Sequence, residues 1–216
     1  MKKITLLSVL LFLLAVIPAV NAQENDTVSH YLFPDFTPGK ILLKVGKSKS
    51  LPMNYNAATE EMVFVNNGQN LAIANIEDID TVYIQNRKFI PVGKVFYEVA
   101  VTAKTPLLVQ YTCSVIPPGK PAGYGTTTET ASVEVVNNFF QSRQVYNLKI
   151  PGDYRIIPNV VFFLKSNDKY IRITNAKQVA NVFPEKENAI KDFVKQNKTD
   201  FKDKKELANL IVFCNK

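Results

Sequence analysis

Residues 51–74, LPMNYNAATEEMVFVNNGQNLAIA, contain three short β-like runs separated by turn residues. The second and third runs meet at Asn66-Asn67-Gly68, whose residues tolerate the positive φ angles of a tight hairpin. A parallel crossover needs a dozen or more residues, so connections as short as these join antiparallel strands. The stretch therefore predicts an antiparallel sheet.

The same pattern continues on both sides of this stretch. The predicted strands are residues 40–45, 51–55, 61–66, 69–74, 81–84, 88–92, 95–103, 107–115, 133–140, 144–149, 160–165 and 170–173. The alternative of an outer-membrane barrel requires strands of about ten alternating residues, and most of these runs are shorter. We predict an α+β fold, an antiparallel β-meander forming a rolled sheet or partly closed barrel with two to three C-terminal α-helices.

Helical spacing of apolar residues begins after residue 173. Asn175 with Gln178, and Asp203 with Glu206, match the capping box that opens a helix, and Pro184 fits a helix start. The sequence divides into a signal peptide (1–22), a flexible N-terminus (23–30), an antiparallel β domain (31–173) and a C-terminal helical segment packed on it (174–216).

The first 22 residues have the composition of a secretory signal peptide. Lys2 and Lys3 precede an apolar run over residues 4–17, and Val20-Asn21-Ala22 supplies a small-residue cleavage pattern. We expect cleavage before Gln23, no membrane span afterwards, and a periplasmic or extracellular location.

Charge is unevenly distributed along the expected mature chain. Residues 23–164 carry 12 basic and 12 acidic residues, whereas residues 165–216 carry 12 basic and 7 acidic ones. The excess of basic residues in 165–216 indicates a solvated lysine-rich helical surface. The alternative is that this surface binds an acidic envelope surface or a glycan. Export separates the chain from nucleic acid, so we expect no nucleic-acid partner.

Cys113 and Cys214 are the two cysteines of the chain. In an oxidising compartment they are a candidate disulfide pair, and the alternative is two buried free thiols.

Residues 117–128, rich in proline, glycine and threonine, predict a long exposed loop. The loop is either a plain surface loop or a ligand-contacting flap with Tyr124 at its tip.

The run YLFPDFTPGKILLKVGKSKSLPMNYNAATEEMVFV and the closing FPEKENAIKDFVKQNKTDFKDKKELANLIVFCN resemble a group of small secreted proteins of Bacteroidetes-type Gram-negative bacteria. That group is of unknown function, so the resemblance implies a compartment and an architecture but no activity. It also draws attention to Asp26-Thr27-Val28 and Asp80-Thr81-Val82, which resemble the O-glycan acceptor of such bacteria, with Thr27 and Thr81 as the acceptors.

Catalytic and metal-binding patterns are missing from the sequence. His30 is the only histidine, which argues against histidine metal clusters and Ser-His-Asp or Cys-His catalysis. We predict no catalytic, cofactor or metal residues. The alternative is a carboxylate pair, for which the candidates are Glu60, Glu61, Glu77, Asp78 and Asp80. A weaker alternative is calcium at Glu77 and Asp80.

Three hypotheses about function remain open. The first is an exported non-enzymatic protein that binds another protein or acts as an accessory envelope component. The second is a glycan- or small-ligand-binding module that uses the sheet face and the 117–128 loop. The third is a carboxylate-dependent, glycoside hydrolase-like enzyme.

Overall fold

The computed structural model describes residues 29–118, 120–122, 126–128, 150 and 152–216. The predicted signal peptide, Thr27, Tyr124 and the predicted strands at 133–140 and 144–149 lie outside the described residues.

In the described part of the chain, ten strands form one antiparallel sheet. They are β1 (Thr37–Leu43), β2 (Ser48–Asn56), β3 (Glu61–Asn66), β4 (Gln69–Ala72), β5 (Ile79–Ile84), β6 (Arg87–Val92), β7 (Val95–Val101), β8 (Leu107–Ile116), β11 (Arg155–Ser166) and β12 (Lys169–Ile173). A separate two-stranded hairpin consists of β9 (Lys120–Ala122) and β10 (Thr126–Thr128).

The order across the large sheet is β4-β3-β2-β1-β5-β6-β7-β8-β11-β12, with every pair antiparallel. The chain first winds outwards from β1 to β4. A crossover containing the short 3-10 turn Ile76–Asp78 then returns it to the other edge of β1, where β5 begins. The predicted antiparallel meander is confirmed, and the ten strands of the described residues are not closed into a barrel.

The tight turns use residues that accept left-handed backbone. Asn67 and Gly68, between β3 and β4, have φ of 50° and 76°. Asn167 and Asp168, between β11 and β12, have φ of 48° and 58°. Two consecutive positive φ angles give the turn whose twist matches a hairpin, which fixes the register of both strand pairs.

Three helices follow the sheet: α1 (Ala176–Val182), α2 (Glu187–Asn197) and α3 (Lys204–Cys214). Both predicted caps are present. The Asn175 side chain accepts a hydrogen bond from the Gln178 backbone N–H at 3.1 Å, and the Asp203 carboxylate accepts one from the Glu206 N–H at 2.8 Å. Each cap satisfies an N–H that the first helical turn leaves without a partner.

One hydrophobic cluster joins the sheet to the helices. Its fully buried members from the sheet include Met53, Tyr55, Met62, Phe89, Phe96 and Leu107, and those from the helices include Val179, Ile190, Leu207, Leu210 and Ile211. The helices therefore cover one face of the sheet, and their apolar stripes are core packing. None of the described helices is long and apolar enough to span a bilayer.

Several strand bounds differ from the expectations by two or three residues, and three features differ more. Residues 117–128 contain the β9–β10 hairpin instead of loop alone. β11 begins at Arg155, five residues before the predicted start, because β8 pairs with it along its whole length to Ile116.

The third difference concerns His30, which we expected in a flexible terminus and which is instead buried. The His30 carbonyl accepts a hydrogen bond from the Ala57 N–H at 2.8 Å. The Asn54 side chain also accepts from the Phe33 N–H at 3.1 Å and donates to the Phe33 carbonyl at 2.9 Å. These bonds attach the segment before β1 to β2.

Candidate functional site

The carboxylates proposed from sequence are distributed over four places in the first half of the sheet. They lie in the turn before β3, at the start of β3, in the 3-10 turn and in β5, and they are Glu60, Glu61, Glu77, Asp78 and Asp80. The Glu60 carboxylate accepts a hydrogen bond from the Gln110 amide at 2.5 Å. Within the described ranges, no group of three or more His, Cys, Asp or Glu residues is arranged to hold a metal ion.

Thr81 lies in β5, where it pairs with Leu42 of β1. Its side chain is 4% exposed, and its hydroxyl donates a hydrogen bond to the Asp80 carboxylate at 2.9 Å. A buried, bonded hydroxyl in a central strand is not accessible to a modifying enzyme in the folded chain.

Cys113 in β8, which is partly buried, and Cys214 in α3, which is buried, are both free thiols in the structure. Burial raises the pKa of each thiol to about 11. At neutral pH both cysteines are therefore protonated, and a protonated thiol is a poor nucleophile.

A polar cluster in the core is centred on Glu98 of β7, which is 5% exposed. Its carboxylate accepts hydrogen bonds from the Arg87 guanidinium at 2.6 Å and from the Tyr111 hydroxyl at 2.5 Å. The Lys204 ammonium of α3 lies 3.2 Å and 3.3 Å from the two carboxylate oxygens. We call these four residues the Glu98 network.

Adjacent strands bring the network together. Glu98 is opposite Phe89 of β6 and Val109 of β8. Arg87 comes two residues before Phe89, and Tyr111 comes two residues after Val109. Because side chains alternate between the two faces of a strand, Arg87 and Tyr111 lie on the same face of the sheet as Glu98. Lys204 enters from the first turn of α3. The network thus connects the middle of the sheet to the last helix.

Burial alone would raise the pKa of Glu98. The hydrogen bonds from Arg87 and Tyr111 and the charges of Arg87 and Lys204 outweigh burial, and they hold the pKa below its ordinary value. Glu98 is therefore ionised at neutral pH. Burial, with Glu98 nearby, raises the pKa of Tyr111, so this hydroxyl stays protonated and donates.

The Arg87 guanidinium also lies over three aromatic rings. Its central carbon is 5.0 Å from the ring centroid of Phe33, 5.3 Å from that of Phe89 and 4.9 Å from that of Tyr111. Cation–π attraction of this kind strengthens when the cation is shielded from water. The rings compensate in part for removing the guanidinium from solvent.

The chemistry of the Glu98 network is that of a structural support. Both carboxylate oxygens are occupied by cationic or hydroxyl donors, and the lowered pKa is the opposite of what a general acid requires. We did not single out these residues from the sequence. The available signal was one glutamate inside the apolar run VFYEVAV.

The opposite face of the sheet carries an aromatic patch. The Tyr97 ring stacks on Phe163 of β11 with centroids 5.2 Å apart, and it meets the edge of Tyr170 of β12 at 6.2 Å. Tyr97 is buried, whereas Tyr170 is 39% exposed. We call these three residues the aromatic patch.

Basic side chains border the aromatic patch. The Lys165 ammonium lies 6.0 Å from the Tyr170 ring centroid. Arg172 is exposed and is the cross-strand partner of Phe163, so it shares the face of the patch. The acidic side chain of Asp168 lies 3.4 Å from Lys165.

A second surface feature is an open groove of about 630 Å³ at the other end of the sheet. It lies between the β1–β2 hairpin and the crossover from β4 to β5. Its lining is mostly apolar: Ile41, Leu43, Lys44, Val45, Lys49, Leu51, Phe64, Ala72, Ile73, Ala74, Asn75, Asp78 and Ile79.

Comparison of the chain with protein-family models, with curated proteins and with solved structures finds no match.

Proposed function

We propose that the protein is an exported, non-enzymatic binding protein that acts as an accessory envelope component, and that it binds a partner protein through the aromatic patch. The observation that carries the proposal is the position of Tyr170, which is 39% exposed while its ring contacts the buried Tyr97. Export rests on the signal peptide predicted from residues 1–22.

The composition of the patch supports a protein partner. Tyrosine and arginine are enriched among residues that dominate binding energy at protein interfaces. The ring of Tyr170 is supported by neighbouring rings, so little side-chain entropy is lost when a partner covers it. Lys165 and Arg172 at the border favour a partner surface that combines apolar groups with carboxylates.

The state of the buried reactive groups supports a non-enzymatic role. Glu98 is ionised, and its carboxylate already accepts hydrogen bonds from Arg87 and Tyr111. The two cysteines are protonated thiols. Burial lowers the pKa of His30, which favours its neutral form. These groups stabilise the fold or lie within it.

We expect that Tyr170→Ala reduces recovery of the partner in a cross-linked pull-down from native envelope fractions by at least about tenfold. Truncating a tyrosine that is a hot spot of an interface costs at least about 2 kcal/mol, and about 1.4 kcal/mol corresponds to tenfold in affinity. A cooperative urea denaturation curve with the midpoint of the unchanged protein should show that the variant is folded.

Tyr83→Ala is the matched control, because Tyr83 is 37% exposed and lies in β5, away from the patch. Recovery of the partner with this variant should equal that with the unchanged protein. Equal recovery with both variants, or recovery of the bait alone, contradicts the proposal.

The second candidate is a glycan-binding module, favoured by the same aromatic patch because sugar rings stack on tyrosine. In that case specific sugars raise the melting temperature by mass action. Tyr170→Ala abolishes this increase and Tyr170→Phe retains it. A protein-binding patch shows no such response to sugars.

A further inference from the structure

The groove beside the β1–β2 hairpin has an apolar floor. Leu43, Leu51, Phe64 and Ile73 are partly buried there and pack against the hydrophobic core. Val45, at the tip of the hairpin, is 77% exposed. The volume of about 630 Å³ is within the range of about 300–1,000 Å³ that ligand sites occupy.

Backbone hydrogen bonds hold the two walls of the groove. The Lys44 N–H donates to the Asp78 carbonyl at 2.9 Å, which connects the hairpin to the crossover. The Leu43 N–H donates to the Lys47 carbonyl at 2.8 Å, and the Gly46 N–H donates to the Leu43 carbonyl at 2.9 Å. The groove is therefore preformed, which reduces the entropy lost when a ligand binds.

The charge around the groove is positive on the hairpin side. Residues 37–56 contain four lysines and no acidic residue. Two of them, Lys44 and Lys49, line the groove together with one acidic residue, Asp78. Lysine stems extend along apolar surface while the ammonium groups remain at the polar edge.

An apolar floor with ammonium groups at its edge is complementary to a molecule with a hydrocarbon chain and one anionic end. We propose that the groove binds a free long-chain carboxylate, with the chain against Leu51 and Phe64 and the carboxylate at Lys44 and Lys49. This site is separate from the aromatic patch. Binding of the carboxylate can therefore be tested independently of binding of the partner protein.

Sodium laurate below its micelle concentration is the probe, and isothermal titration to the full chain is the measurement. We expect one saturable site. Dodecanol, which has the same chain length without the charge, should bind at least about tenfold more weakly, because a charge-assisted hydrogen bond is lost.

Two variants localise the site. Lys49→Gln should weaken laurate binding at least about tenfold, whereas Lys40→Gln should leave it unchanged. Lys40 is in the same hairpin but pairs with Tyr83 and Ser50 and does not line the groove. Ala74→Trp, at an exposed lining position, should abolish binding by filling the groove without changing the melting temperature.

Absence of saturable laurate binding overturns the proposal. Binding that persists unchanged in both Lys49→Gln and Ala74→Trp, or equal affinity for dodecanol, also overturns it. Binding to anionic phospholipid vesicles without binding to laurate would indicate that the hairpin binds a membrane surface. That result would overturn the proposal that the groove binds a free carboxylate.

Discussion

Replacing Arg87 by alanine is expected to lower the free energy of unfolding by about 3–5 kcal/mol, because the change leaves Glu98 charged and buried with its strongest donor removed. The Arg87 guanidinium donates to the Glu98 carboxylate at 2.6 Å, and the glutamate side chain is 6% exposed. The variant also loses three cation–π contacts. Urea denaturation measures the effect.

Two controls separate the buried charge from simple loss of contacts. Lys204→Ala should cost less than about 1 kcal/mol, because the Lys204 side chain is 42% exposed and exposed ion pairs contribute little. The double variant Arg87→Met with Glu98→Leu removes both charges and should recover most of the loss. A change below about 1 kcal/mol in Arg87→Ala contradicts the assignment of the network as a structural support.

The acid dependence of stability provides a second readout of the same network. The pKa of Glu98 is below its ordinary value of 4.5, so the folded chain binds fewer protons at this group than the unfolded chain. The stabilisation is therefore fully present above about pH 4.5 and is lost as the pH falls through the folded pKa. Stability of the unchanged protein should fall more steeply in this range than that of the double variant.

Replacing Phe89 by alanine is expected to lower the free energy of unfolding by about 3–5 kcal/mol, the range for deleting a buried phenylalanine ring. Phe89 is fully buried in β6. Its ring stacks with Tyr55 at 6.1 Å, meets Phe33 at 6.3 Å, and lies under the Arg87 guanidinium. Its removal leaves a cavity at the centre of the core.

Tyr83→Ala in the neighbouring strand β5 is the control for this change. Because Tyr83 is on the exposed face, its truncation should alter stability by no more than about 0.5 kcal/mol. Both variants can be compared by the midpoint of urea unfolding at constant slope. Similar midpoints for the two variants would contradict the packing described for Phe89.

Features that depend on neighbouring residues were predictable from the sequence. The turn at Asn67-Gly68 gave the β3 bounds, Glu61–Asn66, without error. The caps at Asn175 and Asp203 depend on residues three positions apart, and both are present. These turns and helix caps are local features, because each depends on residues no more than a few positions apart in the sequence.

Features that depend on distant residues were not predictable. The pairing of β5 with β1 follows from the crossover after β4, and no short motif encodes it. Glu98 and Lys204 are 106 residues apart, so their contact exists only after α3 packs on the sheet. The groove is likewise formed by the β1–β2 hairpin and the crossover, which become neighbours only in the folded chain.

Prediction of function from single residues was limited by burial. Thr81 matched a modification pattern, but its place in β5 makes the hydroxyl inaccessible. The three residues of the aromatic patch, Tyr97, Phe163 and Tyr170, were not assigned to one face of the sheet from the sequence. Strand alternation gives the face of each residue, yet the cross-strand neighbour is known only from the register.

Site-specific photo-crosslinking tests directly whether the aromatic patch binds a partner protein. A p-benzoylphenylalanine substitution at Tyr170, and separately at Tyr83, is irradiated in cells that export the chain. We expect one defined protein adduct from position 170 and none from position 83. No adduct from position 170, or the same adducts from both positions, would contradict the proposal.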